Sequence, residues 1–304
     1  MKTITYNEQL KVQPYMLKQR QSLPLDCKIN LTRSRIKQWY EKWEGKVYVA
    51  FSGGKDSTVL LHLVREMYPD VPAVFVDTGL EYPEIREFVK EFSGVTIVKP
   101  TMTFKEVLDK HGYPVISKAV ANAIMRIKSP GTSDRVRHKA LHGDACGSFG
   151  KLPAKWRFML DAPFRCSDRC CEVMKMRPVL AYYKRTGRTC FVGTMAADSN
   201  KRMAQYLKHG CNIMNKTLPK CTPMGFWLED DIWQYLHEMN VPYCSIYDTG
   251  VRHTGCIFCM FGVHNETEPN RFQLMAQTHP GLYRYCMQKL GLAEVLDFIG
   301  VPYK

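Results

Sequence analysis

The sequence predicts an α/β protein with a doubly wound, mainly parallel sheet and helical extensions at both ends. One observation behind this is an alternation of apolar, β-branched runs with segments that carry apolar residues at helical spacing. Another is a glycine-rich polar turn directly after the first of these runs. Strands that alternate with helices pair in parallel, and such sheets bind ligands at the carboxyl ends of their strands.

The predicted elements follow one another in a regular order. Residues 1–45 form a helical lead-in, because the stretch 31–43 has apolar positions at helical spacing. The elements that follow are strands at 47–51, 73–77, 95–98 and 189–193, and helices at 58–64, 82–92, 104–111, 172–185 and 227–239. The last segment, 266–304, has the amphipathic pattern of a helical extension. The stretch between the two extensions, 46–265, is predicted to be one domain.

A basic insertion interrupts this domain at about 118–169. The stretches 129–134 and 143–148 have the composition of loops, so we expect an exposed arm. The formal net charge of the chain is +14, and the insertion concentrates it in Lys118, Arg126, Lys128, Arg135, Arg137, Lys139, Lys151, Lys155, Arg157, Arg165 and Arg169. Such a surface attracts polyanions, which favours a nucleic-acid partner, although a merely solvated basic surface has the same composition.

The turn after the first strand is Ser52-Gly53-Gly54-Lys55-Asp56-Ser57, and the predicted helix follows it. Glycine tolerates positive φ angles and lets backbone N–H groups approach a ligand closely. The positive end of the helix and the charge of Lys55 add to this cradle for an anion. The turn therefore predicts a phosphate site, although it does not match the Gly-x-x-x-x-Gly-Lys pattern of P-loop proteins.

Two pairs of cysteines indicate a metal centre. The chain has 12 cysteines, no apolar run long enough to span a membrane and no apolar secretory signal, so we expect a cytoplasmic protein without structural disulfides. The pairs are Cys170-Cys171 and Cys256-x-x-Cys259. Four thiolates suit zinc or an iron–sulfur cluster, and adjacent ligands favour the cluster. The alternative is that these are ordinary buried cysteines.

These motifs resemble those of the phosphoadenosine phosphosulfate (PAPS) reductase family, in the adenine nucleotide α-hydrolase (PP-loop) superfamily. The closest pattern is that of the cluster-bearing adenylyl-sulfate reductases, from about residue 45 to 265 without the insertion. The matched segments are Ser52–Ser57, the Asp-Thr-Gly at 77–79, Cys170 to Pro178, Pro223 to Trp233 and Gly255 to Cys259.

The resemblance implies the ligands and the residues that hold them. ATP, adenylyl sulfate or PAPS would be bound by Ser52, Gly53, Gly54, Lys55, Asp56, Ser57, Asp77, Thr78, Gly79 and Gly193. A [4Fe-4S] cluster would be held by Cys170, Cys171, Cys256 and Cys259. Lys55 and Asp56 are the candidate catalytic residues, since a positive charge stabilises the developing charge on the α-phosphate. Asp56 or Asp77 would bind Mg²⁺, while Asp56 alternatively only caps the helix.

Two departures from the family pattern count against a simple reductase. The family's nucleophilic cysteine lies in a short motif near the C-terminus, whereas the last cysteine here, Cys286, lacks that motif. The family also places an arginine pair after its mid-chain glycine, but Gly193 is followed by Thr194 and Met195. Methionine and alanine, which follow at 195–197, do not offer the bidentate fork with which arginine holds sulfate. The alternative is that Lys201 and Arg202 substitute from a turn away.

Three functions remain open at this point. The first is ATP-dependent sulfur transfer to an acceptor such as a nucleic acid, and the second is reduction of adenylyl sulfate or PAPS to sulfite. The third is a non-catalytic nucleotide and iron–sulfur sensor. The two departures from the family pattern favour the first function. A sulfur-donor or electron-donor protein is an expected partner. Whether the protein forms an oligomer is left open. Cys166 and Cys244 are the alternative cluster ligands, and His253 and His264 are interpreted as ordinary polar residues.

Overall fold

The computed structural model describes residues 11–143, 150–214, 217–252 and 254–304. The predicted loop after Gly143, His253 and the first ten residues of the lead-in lie outside these ranges. No helix among the described residues is both long enough and apolar enough to cross a membrane.

The strands are short and the helices are of moderate length. The strands are β1 (Val47–Ala50), β2 (Ala73–Val76), β3 (Val95–Val98), β4 (Val115–Ile116), β5 (Thr189–Val192), β6 (Asn212–Ile213), β7 (Lys220–Cys221) and β8 (Met260–Phe261). The α-helices are α1 (Pro14–Gln21), α2 (Leu25–Lys42), α3 (Lys55–Met67), α4 (Pro83–Lys90), α5 (Phe104–His111), α6 (Lys118–Lys128), α7 (Asp134–His142), α8 (Arg177–Thr186), α9 (Asn200–His209), α10 (Glu229–Glu238), α11 (Arg271–Thr278), α12 (Pro280–Arg284) and α13 (Leu292–Phe298). Shorter helical turns include the 3₁₀ segments Ala154–Asp161 and Ser245–Thr249 and the π-helical turn Glu172–Met176.

The chain divides into two compact units. The sheet unit contains the chain up to Asp77, Pro83–Val98 and Val179–Tyr247. The helical unit contains Thr78–Tyr82, Lys99–Pro178 and Asp248–Lys304. These boundaries differ from the three consecutive segments predicted from the sequence, because packing joins segments that are far apart along the chain.

The sheet unit is built on a six-stranded sheet with the order β3-β2-β1-β5-β7-β6. Its neighbouring strands are parallel except for β6 and β7, which confirms the predicted mainly parallel sheet. Tyr48 and Cys190 pack with Tyr182 of α8 in one apolar cluster. Phe51 lies three positions after Tyr48, so it faces the other side of the sheet, where its ring contacts Phe92. The lead-in is helical as predicted, and α2 packs against α3.

The helical unit pairs β4 with β8 in parallel and surrounds this pair with short helices. The C-terminal extension is helical as predicted, through α11, α12 and α13. The segment 118–169 is not the exposed arm suggested by its sequence. Both α6 and α7 bury apolar side chains, including Ile124 and Ala140, and Leu152 donates its N–H to the carbonyl of Ala140. Helices this short, separated by a proline and glycine loop, leave a weak periodic signal.

Candidate active site

The predicted phosphate loop lies where three parallel strands of the sheet unit end. Ser52 to Ser57 follow β1, Asp77 follows β2 and Gly193 follows β5. Because β2 and β5 pair with β1 on opposite sides, these three segments meet at one edge of the sheet. The strand order also reverses at β1, and such reversal points are where doubly wound sheets bind their ligands.

Ser57 holds the loop in its folded form. Its hydroxyl accepts the N–H of Ser52 at 3.1 Å and donates to the carbonyl oxygen of Gly54 at 2.8 Å. The hydroxyls of Ser52 and Ser57 lie 3.0 Å apart. Both serines were predicted to contact phosphate, and the structure shows that Ser57 also fixes the backbone of the loop.

Two glycines allow the backbone to approach closely here. Gly53 has a φ of +72°, and a Cβ atom at this position would lie 2.9 Å from side-chain atoms of Ile85 and Val89. A Cβ atom on Gly193 would lie 2.9 Å from the carbonyl oxygen of Asp56. Gly193 therefore lets the end of β5 pack against the first turn of α3, which explains its place among the predicted site residues.

Lys55 is buried and lies between two carboxylates. Its side chain is only 4% exposed, and its Nζ lies 3.4 Å from Oδ1 of Asp56 and 3.1 Å from Oε1 of Glu229. Burial alone would lower the pKa of Lys55, but the two carboxylates and Tyr247 outweigh it and raise that pKa. The ammonium group also lies 6.0 Å and 5.7 Å from the ring centres of Trp233 and Tyr247. The loop thus carries a charged lysine at neutral pH.

Glu229 and Tyr247 are site residues that the sequence analysis missed. Glu229 is the first residue of α10, where an acidic side chain is ordinarily explained by the helix dipole alone. Tyr247 accepts the backbone N–H of Lys55 through its hydroxyl at 2.9 Å. No local sequence signal points to Tyr247, because it lies far along the chain in a short 3₁₀ turn.

Asp56 is not the cap of α3, so that alternative is wrong. The N-cap is Gly54, and Asp56 lies in the first turn. Its Oδ1 atom is buried and has no hydrogen-bond partner among the described residues. Burial raises the pKa of Asp56, and nearby Lys55 opposes that rise. A buried carboxylate oxygen without a hydrogen bond is a fitting ligand for Mg²⁺, which takes one or two carboxylates and completes its shell with phosphate and water.

Side-chain hydrogen bonds hold both Asp77 and Thr78 of the Asp-Thr-Gly segment in place. Asp77 is buried and accepts a hydrogen bond from Arg86 at 3.0 Å, in an ion pair within the sheet unit. Thr78 begins a segment of the helical unit, where its N–H and hydroxyl donate to Glu81 at 3.0 Å and 2.6 Å. Asp77 therefore lies at the edge with the loop, while Thr78 and Gly79 stay predicted ligands.

All four predicted cluster cysteines belong to the helical unit. Cys170 is buried, and Cys171, Cys256 and Cys259 are half-buried. Burial raises the pKa of Cys170, and the other three thiols raise it further. Burial raises the pKa of Cys256 to about 11, although a hydrogen bond and the charge of Lys175 oppose it. The thiols are thus close enough to act on one another, with a cation beside them.

The chemistry of these residues fits a four-thiolate centre. No group of three or more histidine, cysteine or acidic side chains in the described ranges is closed enough to hold a metal ion. Of the alternative ligands, Cys244 belongs to the sheet unit. Cys166 belongs to the helical unit, like the four predicted ligands, and burial raises its pKa to about 12.

Cys286 does not have the properties of a nucleophile. It is fully buried, and its Sγ donates to the carbonyl of Tyr283 at 3.2 Å. Burial raises its pKa to about 12. Because the thiolate is the reactive form, this cysteine is inert at neutral pH.

Comparison with known proteins gives a consistent set of relatives. The phosphoadenosine phosphosulfate reductase domain model matches residues 46–126 and 144–261. An uncharacterized protein of Methanocaldococcus jannaschii is 24% identical over 93% of this chain, which spans 58% of that relative's length. The adenosine 5'-phosphosulfate reductase of Staphylococcus epidermidis is 22% identical over 82% of this chain and 85% of its own length.

The solved structures found by comparison are less similar to this chain in sequence. The phosphoadenylyl-sulfate reductase of Candida auris is 16% identical, with a TM-score of 0.45, over 81% of this chain and 96% of its own. The U34-tRNA thiolase of Methanococcus maripaludis, solved with its [4Fe-4S] cluster, is 16% identical with a TM-score of 0.38, over 88% of this chain and 80% of its own.

Proposed function

The chain belongs to the phosphoadenosine phosphosulfate reductase domain family, and we propose that it is an enzyme acting at the α-phosphate of an adenine nucleotide. The observation that carries the proposal is the meeting of the loop 52–57, Asp77 and Gly193 at the edge of the sheet where strand order reverses. The named relatives in the comparison are enzymes that act on adenylyl sulfate, which supports an adenine nucleotide as the ligand.

The geometry supports a division of roles at this edge. The loop and the N-terminus of α3 receive the phosphates, since backbone N–H groups there bind anions. Lys55 neutralises the charge that develops on the α-phosphate oxygens. To do so, it exchanges its ion pair with Glu229 for one with the phosphate. Oδ1 of Asp56 lies 3.4 Å from Nζ of Lys55 and accepts no hydrogen bond among the described residues, so it would hold Mg²⁺, which would stabilise the leaving pyrophosphate.

The favoured reaction is ATP-dependent sulfur transfer. An acceptor oxygen attacks the α-phosphorus, the bond to pyrophosphate breaks, and a sulfur nucleophile then displaces AMP from the acceptor carbon. Cys170, Cys171, Cys256 and Cys259 would hold the [4Fe-4S] cluster, which binds the sulfur or passes electrons when it is present. The inert environment of Cys286 supports this reaction over a reductase in which that cysteine attacks the substrate.

A second candidate is the reduction of adenylyl sulfate or PAPS to sulfite. The names of the relatives that cover 82% of the chain favour it. In this reaction a thiolate attacks the sulfur of the nucleotide, and AMP or its 3′-phosphorylated form leaves. A second thiol from an electron-donor protein then displaces sulfite and forms a disulfide with the first thiol.

One experiment separates these functions. The protein is purified without oxygen and mixed separately with ATP plus candidate acceptors, with adenylyl sulfate and with PAPS, and all products are identified. Pyrophosphate and AMP from ATP support sulfur transfer, while sulfite from either sulfonucleotide supports the reductase. Binding without any product would leave only the sensor and contradict both enzymatic proposals.

The cluster has its own test. Anaerobic protein should be brown, contain iron and sulfide, and give the Mössbauer signal of a [4Fe-4S] centre, because thiolate-to-iron charge transfer absorbs visible light. Cys256→Ser should lose this signal, and Cys27→Ser, which changes an exposed cysteine of α2, should keep it. Stoichiometric zinc without iron in anaerobic wild-type protein would reject the cluster.

A further inference from the structure

In the described part of the segment 118–169, α6 packs against both α7 and the 3₁₀ segment Ala154–Asp161. We call the part made of α6, α7 and the 3₁₀ segment Ala154–Asp161 the basic helical layer. Lys128 ties α6 to the 3₁₀ segment by donating to the carbonyl of Ala162 at 3.1 Å, and Arg157 donates to the carbonyl of Leu141 at the end of α7. Backbone carbonyls therefore hold two of the cations of this layer in place.

Cations dominate the exposed face of this layer. Its exposed basic residues include Lys118, Arg126, Arg135, Lys155 and Arg157. Among the acidic side chains, Asp134 is paired with Arg137 at 3.3 Å. A polyanion is the ligand that such a field attracts.

The 3₁₀ segment of the layer carries aromatic rings next to its cations. The run Lys155-Trp156-Arg157-Phe158 alternates positive and aromatic side chains. Phe158 is 41% exposed, although its ring is supported by Trp156 at 6.0 Å and Phe298 at 5.7 Å between ring centres. Lys155 lies over the Trp156 ring at 5.2 Å. An exposed ring with a firm backing is suited to stack a nucleobase, and stacking requires a base that is not paired in a duplex.

A cavity lies between α6 and the start of α7. It measures about 490 Å³ and is lined by Arg126, Arg169, the hydroxyl-bearing residues Ser129, Thr132 and Ser133, and Val136. Arg137 shapes its rim by donating to the carbonyls of Ser129 and Thr132, both at 3.3 Å. Two guanidinium groups and three hydroxyls are the groups that bind backbone phosphates.

We propose that the basic helical layer binds an unpaired stretch of a polynucleotide, with arginines on its phosphates and Phe158 stacked on a base. This proposal rests on the proposed function, because sulfur transfer to an acceptor is the reason for the protein to bind a polynucleotide. The aromatic and basic groups together favour a single strand over a duplex, whose stacked bases offer no free face. A protein partner with an acidic surface would use the cations but not the exposed ring.

The test measures binding of the full chain to labelled single-stranded RNA, single-stranded DNA and duplex DNA of about 16 nucleotides, without ATP. Single strands should bind more tightly than the duplex, and affinity should fall steeply between roughly 50 and 200 mM salt. Phe158→Leu keeps an apolar side chain but removes the ring, so it should weaken single-strand binding about 5-fold or more and leave the salt slope unchanged. The matched control is Tyr15→Leu, an exposed ring of the sheet unit, which should change nothing.

A charge variant probes the phosphate contacts separately. Arg126→Gln with Arg135→Gln should weaken binding and lower the salt slope by about 1.4, as expected for two phosphates on a single strand. Lys37→Gln with Lys90→Gln, exposed lysines of the sheet unit, serves as the control.

Each result decides between specific readings. Equal affinity for duplex and single strand, or unchanged binding by Phe158→Leu, overturns the proposal. Turnover of ATP, adenylyl sulfate or PAPS by a protein with no polynucleotide affinity overturns it too, while the action at the α-phosphate stands. Single-strand binding that depends on Phe158, without nucleotide turnover, supports the surface and contradicts the proposed enzyme.

Discussion

At the scale of single residues, the carboxylates of Asp56 and Glu229 hold the side chain of Lys55 in place. Lys55→Ala should weaken binding of ATP and adenylyl sulfate more than tenfold, since a charge-assisted contact to phosphate contributes about 1.5–3 kcal/mol. The loss also leaves Asp56 and Glu229 without their cation beside the phosphates. Titration calorimetry measures the effect, with Lys90→Ala on the exposed face of α4 as control. Unchanged affinities would show that the nucleotide binds elsewhere.

His264 should make the stability of the protein depend on pH. Its ring contacts Trp156 at 4.9 Å between ring centres, and burial, together with Lys155, lowers its pKa below 6.5. A base with a lowered pKa stabilises the fold above its unfolded pKa, and this contribution is lost as the pH falls through the folded pKa. Urea unfolding from pH 8 to 5 should therefore show a loss of stability that His264→Phe reduces. The same pH profile in both proteins would contradict this role.

At the scale of elements, a buried ion pair connects α2 to α10. Nζ of Lys28 lies 2.7 Å from both carboxylate oxygens of Asp231, and Asp231 also accepts the N–H of Leu228. Lys28→Met should destabilise the protein by about 3–5 kcal/mol in urea unfolding, because it leaves a buried carboxylate without its cation. The double variant Lys28→Met, Asp231→Leu should recover most of that loss. A single variant as stable as wild type would show that the pair contributes little.

The sequence predicted the four-residue strands well and the two-residue strands not at all. Strands β1, β2, β3 and β5 were found because runs of four or five apolar or β-branched residues are a clear signal. Strands β4, β6, β7 and β8 have two residues each, too few to show an alternation. The loop 52–57 was placed correctly by its local motif. Its contacts with Glu229 and Tyr247 depend on packing between distant segments, which no local pattern reveals.

At the scale of the whole molecule, the two units are interleaved along the chain. The residues 266–304 belong to the helical unit and bury Phe272, Met275 and Leu296, and Tyr113 donates its hydroxyl to the carbonyl of Leu290 at 2.9 Å. A chain that ends at residue 265 should therefore lose hydrogen-exchange protection in β4 and α6, with the amides of β1 as the internal reference. If β4 and α6 keep their protection, the domain 46–265 predicted from the sequence folds independently of residues 266–304.

This interleaving also sets an order of events during synthesis. A ribosome delivers the last strand of the six-stranded sheet, β7, well before the residues of β8 that pair with β4. The nascent chain therefore carries Cys170 and Cys171 for some time before Cys256 and Cys259 have been translated. All four thiols can bind one group only after Cys259 has been translated. Until then, the exposed early pair must be kept reduced by the reducing agents of its surroundings.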